Sequence, residues 1–415
     1  MRIQLGELIR SGVLELGDGY RTKRSELSQF GYAIVRAGDV VEIGVTASDS
    51  EFVDQRFDKA IGRKTVRLGD VVITTKGTVG RVAEVSKVPN AGLAVYSPQV
   101  CYLRSLQPSI LHQRYLKYLL MSPATRYSIS TFASSSDMAP YLSLSDFKSM
   151  VVDLPSLEDQ RAIADVLGAL DDKIAANQRV LAIESQLFAA LWQYSSYKGI
   201  EKKHLSDLVK TQYGFTASAG VYPGSPKFLR VKDINKQKWI EWQSVPEVDI
   251  AEKDFEKYRL NRNDIVVARM ADPGKSAIID SDIRAVFASY LVRLTPHNRD
   301  DALYIYGFLN SNIYENYTRA VSTGSVQRNM NARVITDVDI PWPSREVRLD
   351  FAETGGKIRS AMGTLVKENQ VLAATRDELL PLLMNGKITV AEAKEAAGDV
   401  GVVKQNQQEE GDGSV

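Results

Sequence analysis

At 415 residues the chain exceeds the size at which a single hydrophobic core usually keeps growing, so two or more domains are expected. An apolar fraction of 44% and a charged fraction of 25% are those of an ordinary globular protein and exclude fibrous and wholly disordered classes. With 52 basic and 51 acidic residues the net charge is +1, so nucleic-acid binding through overall charge is excluded and would have to use local clusters. The candidate clusters are Arg21 to Arg24, Arg56 to Arg81, Lys198 to His204 and Arg319 to Arg333. A single cysteine, Cys101, rules out an intramolecular disulfide, the N-terminal residues lack a signal-peptide core, and no apolar run is long enough to span a membrane. A cytoplasmic protein with no membrane partner is the expectation.

Residues 1–155 read as mixed α/β. The runs Tyr32 to Arg36, Lys64 to Thr74 and Gln99 to Leu103 are β-branched or aromatic and are bounded by Gly, Asp and Pro. Between them, Thr75 to Arg81 is a turn whose two glycines can supply positive φ, and Leu111 to Tyr127 has helical spacing. Pro155 and Ser156 then open a long helix over 156–199, with Ser156 as N-cap and Glu158 and Asp159 in a first turn that favours acids. Its apolar positions Ile163, Leu167, Leu170, Ile174, Leu181, Phe188 and Leu191 form a heptad seam, with Asn177 and Glu184 as polar steps.

Residues 200–343 repeat the first block. Leu205-Ser-Asp-Leu208 matches Leu5-Gly-Glu-Leu8, Leu229-Arg230-Val-Lys-Asp233 matches Val35-Arg36-Ala-Gly-Asp39, and Asn263-Asp264-Ile-Val-Val267 matches Gly69-Asp70-Val-Val-Ile73. That register places Gly274-Lys275 on Gly80-Arg81. A second long helix over 344–390 carries Ile358, Met362, Leu365, Leu372, Leu379 and Leu383 with Asn369 and Arg376 as its polar steps. Aligned on Asn177 and Asn369, five of the fifteen positions from 177 to 191 are identical, which two copies of one unit explain most economically. Pro381 should kink the last turns, Asn385-Gly386 should close the helix, and residues 391–415 read as a disordered tail.

The fold class expected is therefore α+β: two similar mixed α/β domains joined by two long helices, with an internal pseudo-twofold repeat. Helices of about 36 residues are roughly 54 Å long, and each apolar stripe finds its nearest equivalent on the other helix, so an antiparallel coiled coil and a two-headed dumbbell are expected. Such a pair brings Asn177 near Asn369 at mid-length, where a buried polar pair can fix register.

The motifs with catalytic overtones are weak. Asp339-Ile-Pro-Trp342 is similar to the Asp-Pro-Pro-aromatic tetrapeptide of amino-methyltransferases, but its second residue is Ile and no Gly-rich cofactor loop accompanies it. Ala271 to Ser276 is similar to the end of a phosphate-binding loop, yet Arg269 stands where the leading glycine belongs. His112, His204 and His297 are scattered, one cysteine cannot build a thiolate site, and no metal site or nuclease carboxylate cluster is evident. The expectation is a non-catalytic binding protein. In the first head the candidate DNA contacts are Tyr20, Arg21, Lys23, Arg24, Lys76, Thr78 and Arg81. In the second they are Tyr213, Thr216, Arg230, Lys232, Arg269, Lys275, Ser325, Gln327, Arg328 and Asn329. Arg, Asn and Gln make bidentate contacts to base edges, while Lys, Ser and Thr position phosphates.

These features together resemble the specificity subunits of type I restriction-modification systems. The resemblance spans roughly residues 1–390 and rests on four features: the twofold head-plus-helix repeat, Tyr213-Gly-Phe-Thr-Ala-Ser218 with Phe228 to Ile234, the Gly-Ser-Val-Gln-Arg-Asn329 loop, and Val152-Asp-Leu-Pro-Ser-Leu-Glu-Asp-Gln160 before a long helix. The last is similar to the family's Ile-Pro-Leu-Pro-Pro-Leu-x-Glu-Gln signature, with Asp159 in place of Glu; the second copy, Ile340 to Val347, lacks the Gln. The resemblance implies two target-recognition domains, each reading half of a bipartite site in double-stranded DNA. It implies spacer helices that dock two copies of a modification methyltransferase subunit, and a restriction-translocase subunit completing the nuclease. No cofactor is expected on this chain; S-adenosylmethionine is expected on the methyltransferase partner. The alternatives are a coiled-coil scaffold without DNA specificity, and a methyltransferase or nuclease acting alone.

Overall fold

Buried carboxylates at the heads of two β-branched strands organise the two halves of the chain in the same way. The structure, a computed structural model, describes residues 1–41, 44–47, 51–134, 140–199, 201–234, 239–322 and 329–399. It divides into two compact units, residues 1–178 with 367–415 and residues 179–366, so that each long helix contributes one half to each unit.

In the first unit, Leu14–Asp18, Val100–Ser105, Val71–Thr74 and Val82–Glu84 form a four-stranded antiparallel sheet in that order. A second sheet pairs Ala94–Tyr96 in parallel with Tyr32–Val35. Arg2–Gln4 closes against Val151–Asp153, immediately before the first long helix. The helical stretch expected from Leu111 to Tyr127 is broken in two, Gln113–Met121 and Pro123–Ser134, because Pro123 cannot continue the first helix. The expected strand over Lys64 to Thr74 is only Val71–Thr74. Asp70 ends the approach to it by accepting the Arg67 amide at 2.9 Å, the Tyr96 hydroxyl at 2.8 Å and two guanidinium bonds from Arg104 at 2.6 and 2.8 Å.

The second unit reproduces this plan. Val209–Tyr213, Leu291–Pro296, Ile265–Ala268 and Ser276–Ile278 form an antiparallel sheet of the same order, and Lys227–Leu229 pairs in parallel with Ala285–Phe287. Glu201–His204 closes against Asp339–Trp342, the strand that carries the tetrapeptide singled out above. The fully buried Asp264 takes the place of Asp70, accepting from the Asn261 amide at 2.9 Å and pairing with Arg299 at 2.8 Å. Gly69 and Asn263, just before these carboxylates, both adopt left-handed backbone, φ +80° and +68°.

The long helices span Leu157–Tyr197 and Arg345–Met384, 41 and 40 residues. In the first unit the early half of the first packs with the late half of the second: Ile163, Leu167, Leu170 and Ile174 share one core with Leu372, Leu379 and Leu383. In the second unit the late half of the first helix meets the early half of the second, where Phe188 and Trp192 join Phe351 and the buried helix Ala302–Leu309. The pairing is antiparallel in each unit. Asn177 is buried and its amide donates to Asn369 Oδ1 and to Glu368, both at 2.9 Å.

The first helix start is capped as expected, with Ser156 Oγ accepting from the Asp159 amide at 3.1 Å, and the second is capped likewise, Ser344 Oγ accepting from the Val347 amide at 3.4 Å. The missing Gln of the second copy has a structural replacement. In the first unit the buried Gln160 accepts from the His112 amide at 2.9 Å and donates to the Pro155 carbonyl at 3.1 Å. In the second, Arg348 holds Asp301 at 2.7 Å and donates to the Pro343 carbonyl at 2.5 Å. Asp301, like His112, immediately precedes the buried helix of its head.

At the other end, the helix runs on through Pro381 and closes at Gly386, φ +64°, with the Lys387 amide returning to the Leu382 carbonyl at 2.9 Å. The expectation of a disordered tail from 391 is corrected in part. Val390–Asp399 is a helix, capped by Thr389 and Glu392 and burying Ala393 and Ala397 in the first unit's core. Residues 400–415 lie outside the described residues.

One buried network in the first unit is acid-sensitive. Burial pushes the Asp171 carboxyl up, but Lys117 at 2.6 Å and Arg376 at 2.8 Å outweigh it and hold the group below its usual range. A depressed folded value means that the stabilisation is present above the unfolded value of about 3.9 and is lost as pH falls through the folded one. Chemical denaturation from pH 7 to pH 2 is therefore expected to show stability falling below about pH 4, and Asp171→Asn should be less stable at pH 7 with a shallower acid slope.

Candidate nucleic-acid interface

In each head some of the candidate residues gather around one hairpin turn. In the second head three segments meet there: the hairpin turn Arg269 to Lys275, the end of the strand Val209–Tyr213, and the segment at Asn329 and Met330. The Met330 amide donates to the Arg269 carbonyl at 2.8 Å, and the Ala332 amide to the Tyr213 hydroxyl at 2.9 Å. The Arg269 guanidinium lies over the Tyr213 ring, 5.0 Å from its centre, with Asn329 Oδ1 3.4 Å away. Thus Tyr213, Arg269 and Asn329, distant in sequence, form one cluster. Lys275 stands exposed on the same turn, beside Gly274 at φ +92°. Ala271 holds φ +66°, a strained conformation for a residue with a Cβ.

The remaining candidates of this head are placed differently. Thr216 and Lys232 are exposed. Arg230 is already engaged, its Nε and Nη2 each donating to Asp233 at 2.9 Å. Ser325, Gln327 and Arg328 lie outside the described residues.

The first head has a matching arrangement. Lys76, Thr78 and Arg81 are exposed on the turn between Val71–Thr74 and Val82–Glu84, with Gly77 and Gly80 at φ +76° and +89°. The Thr74 hydroxyl ties the turn together by donating to the Thr78 carbonyl and accepting from the Arg81 amide. Lys76 Nζ sits 4.9 Å from the centre of the Tyr141 ring, and the Leu142 amide donates to the Thr75 carbonyl at 3.1 Å. Tyr141 was not legible as a site residue, because only the return of the chain to this turn brings it there. Arg21, Lys23 and Arg24 are exposed, while Tyr20 is partly covered, its phenol pushed up by burial and by Glu26.

Other reactive groups are enclosed. Burial pushes the Cys101 thiol up to about 12, and His112 is pushed below its usual value by burial. Among the described residues no group of His, Cys, Asp and Glu is arranged to hold a metal, and no helix is long and apolar enough to cross a membrane.

Fold and surface define a twofold α+β repeat protein whose heads offer similar polar clusters and whose long helices pair. Residues 11–185 match the model of the type I restriction modification DNA specificity domain. The chain is similar to the type I restriction enzyme MjaVIII specificity subunit of Methanocaldococcus jannaschii, 23% identical over 301 residues, which are 66% of this chain and 70% of that one. Its fold is similar to that of the type I restriction-modification S subunit from M. genitalium, with a TM-score of 0.55 at 13% identity, covering 92% of this chain and 95% of the other. The HsdS subunit from Thermoanaerobacter tengcongensis aligns over 93% of this chain and 95% of its own at 14% identity, with a TM-score of 0.33. The chain is thus similar to type I restriction-modification specificity subunits, with the match to their DNA specificity domain lying in residues 11–185.

Proposed function

We propose that this chain is the DNA-reading subunit of a type I restriction-modification complex: each head reads one half of a bipartite target, and the long helices carry the subunits that perform the chemistry. The observation that carries this reading is that two heads of the same sheet order each hold a cation against an exposed tyrosine beside the same glycine-bearing hairpin turn, although the paired residues come from different positions in the two heads. Two like heads on one chain match a target made of two half-sites. The chain supplies the address and no catalysis. Adenine methylation belongs to two copies of a methyltransferase subunit with S-adenosylmethionine, and cleavage to a restriction-translocase subunit.

A second apolar stripe on the first long helix supports partner docking. Val180, Ile183, Leu187 and Tyr194 are exposed at helical spacing, on a face apart from the buried Phe188 and Trp192. The hydrogen-bonded Asn177 and Asn369 act as the register pair of the helices.

Binding to a duplex carrying the cognate site, followed by fluorescence anisotropy over a salt series, tests the reading. Lys76→Ala should weaken binding to all sequences alike and lower the salt slope by about 1, whereas Arg269→Ala should also reduce discrimination by about tenfold. Equal affinity of the wild-type complex for cognate and scrambled duplexes would sink the proposal. Ile183→Asp with Leu187→Asp should cost at least about tenfold in methyltransferase affinity by titration calorimetry while lowering the chain's own stability by about 1 kcal/mol or less. Asn177→Leu with Asn369→Leu should raise the melting temperature and change the oligomeric state; an unchanged state with no gain in stability would remove the register role.

A further inference from the structure

The hydrogen-bond patterns of the two heads share a position whose residues, Gln99 and Tyr290, carry no sequence motif. In the first head the Thr75 amide donates to the Gln99 carbonyl at 2.8 Å; in the second the Arg269 amide donates to the Tyr290 carbonyl at 3.0 Å. Around these bonds the correspondence is close. Gly80 returns to the Thr74 carbonyl as Gly274 does to the Ala268 carbonyl, both at 2.9 Å, and Leu142 and Met330 bind the Thr75 and Arg269 carbonyls. Gln99 and Tyr290 therefore hold the same place, on the tight turn that leads from the parallel strand into the central strand of the main sheet. Each backbone is fixed by the hairpin turn, and each side chain is exposed, Tyr290 at 56%.

A residue with a pinned backbone and a free polar side chain, next to a cation held against an aromatic ring, is suited to reading rather than to folding. The Tyr290 ring closes no core cluster among the described residues. The Gln99 amide makes one long contact, 3.3 Å from the Ala37 amide to its Oε1, and its own N–H groups donate to no described residue. A glutamine amide matches the N6 and N7 edge of adenine, and a tyrosine offers a hydroxyl and a stacking face. The neighbouring cations, Lys76 and Arg269, supply the phosphate or guanine contact beside it.

We propose that Gln99 and Tyr290 are equivalent specificity-determining residues, each contacting a base in the half-site read by its own head. The proposal rests on the DNA-reading function above and adds which turn of each head faces the bases. Its test is the methylated motif found by methylome sequencing in cells expressing the full chain with its methyltransferase partner. Tyr290→Ala should relax base preference by about tenfold in one half of the bipartite motif only, Gln99→Ala in the other half only, and Tyr290→Phe should relax the same half as Tyr290→Ala or less. An unchanged motif in all three variants, or relaxation of both halves by a single substitution, overturns the assignment. Should Tyr290→Ala fail to accumulate as folded protein, Tyr290→Gln takes its place, since it keeps an exposed side chain on the pinned backbone while removing both ring and hydroxyl, and an unchanged half-motif in that variant overturns the assignment. A wild-type complex that yields no bipartite motif defeats the functional reading itself and is distinguished from the other outcomes by that control.

Discussion

Everything in this chain depends on covering two amphipathic helices of about 40 residues, each roughly 60 Å long, whose apolar stripes have no stability in water by themselves. The stripes are covered half by half. Leu167 and Leu170 meet Leu372 and Leu379 under one head; Phe188 and Trp192 meet Phe351 under the other. Because the apolar stretch at each end of the helix pair is buried jointly by the counterpart helix and by a head, helix pairing and head folding are coupled in each unit. The polar steps are accommodated rather than expelled. Asn177 finds Asn369, and Arg376 finds Asp171, each buried group meeting a partner that offsets its desolvation.

The two halves have diverged in side chains while keeping their hydrogen-bond positions. Asp70 and Asp264 occupy the same strand head with different cationic partners, Arg104 in one and Arg299 with Arg293 in the other. Such pairs are retained because removing one member strands the other in a low-dielectric site. The surface cluster has changed more freely, with Lys76 and Tyr141 in one head and Arg269 and Tyr213 in the other. The frame is constant and the exposed contacts vary.

Much of this was legible in the sequence because the repeat is written in residues with strong local physics. The helix caps, the heptad seams, the match of Asp264 to Asp70, and the glycine turns before Arg81 and Lys275 all follow from short-range rules. What escaped reading was set by tertiary contact. Residues from 391 read, with the Gly/Gln/Glu-rich stretch that follows them, as a disordered tail, yet the alanines on one face of Val390–Asp399 suffice for a helix once a core is present to receive them. The loss of Gln at position 348 looked like a weakened motif, because the compensating Asp301 lies 47 residues away. In the candidate site the separate polar residues were visible, but their grouping was not: Tyr213, Arg269 and Asn329 meet only through the sheet, and Tyr141, Gln99 and Tyr290 carry no local mark.

The exchange of Gln160 for Arg348 also bears on how such chains can be recombined. A neutral amide serves the backbone at His112, and a guanidinium serves the carboxylate of Asp301, so the root of each helix is chemically keyed to the head it follows. A chimaera joined between a head and its helix would set a neutral amide against a buried carboxylate, or a buried guanidinium against histidine. One joined a turn or more inside the helix would carry lock and key together. Viable crossovers therefore lie within the helices, downstream of these residues, and head and helix root are inherited as one cassette.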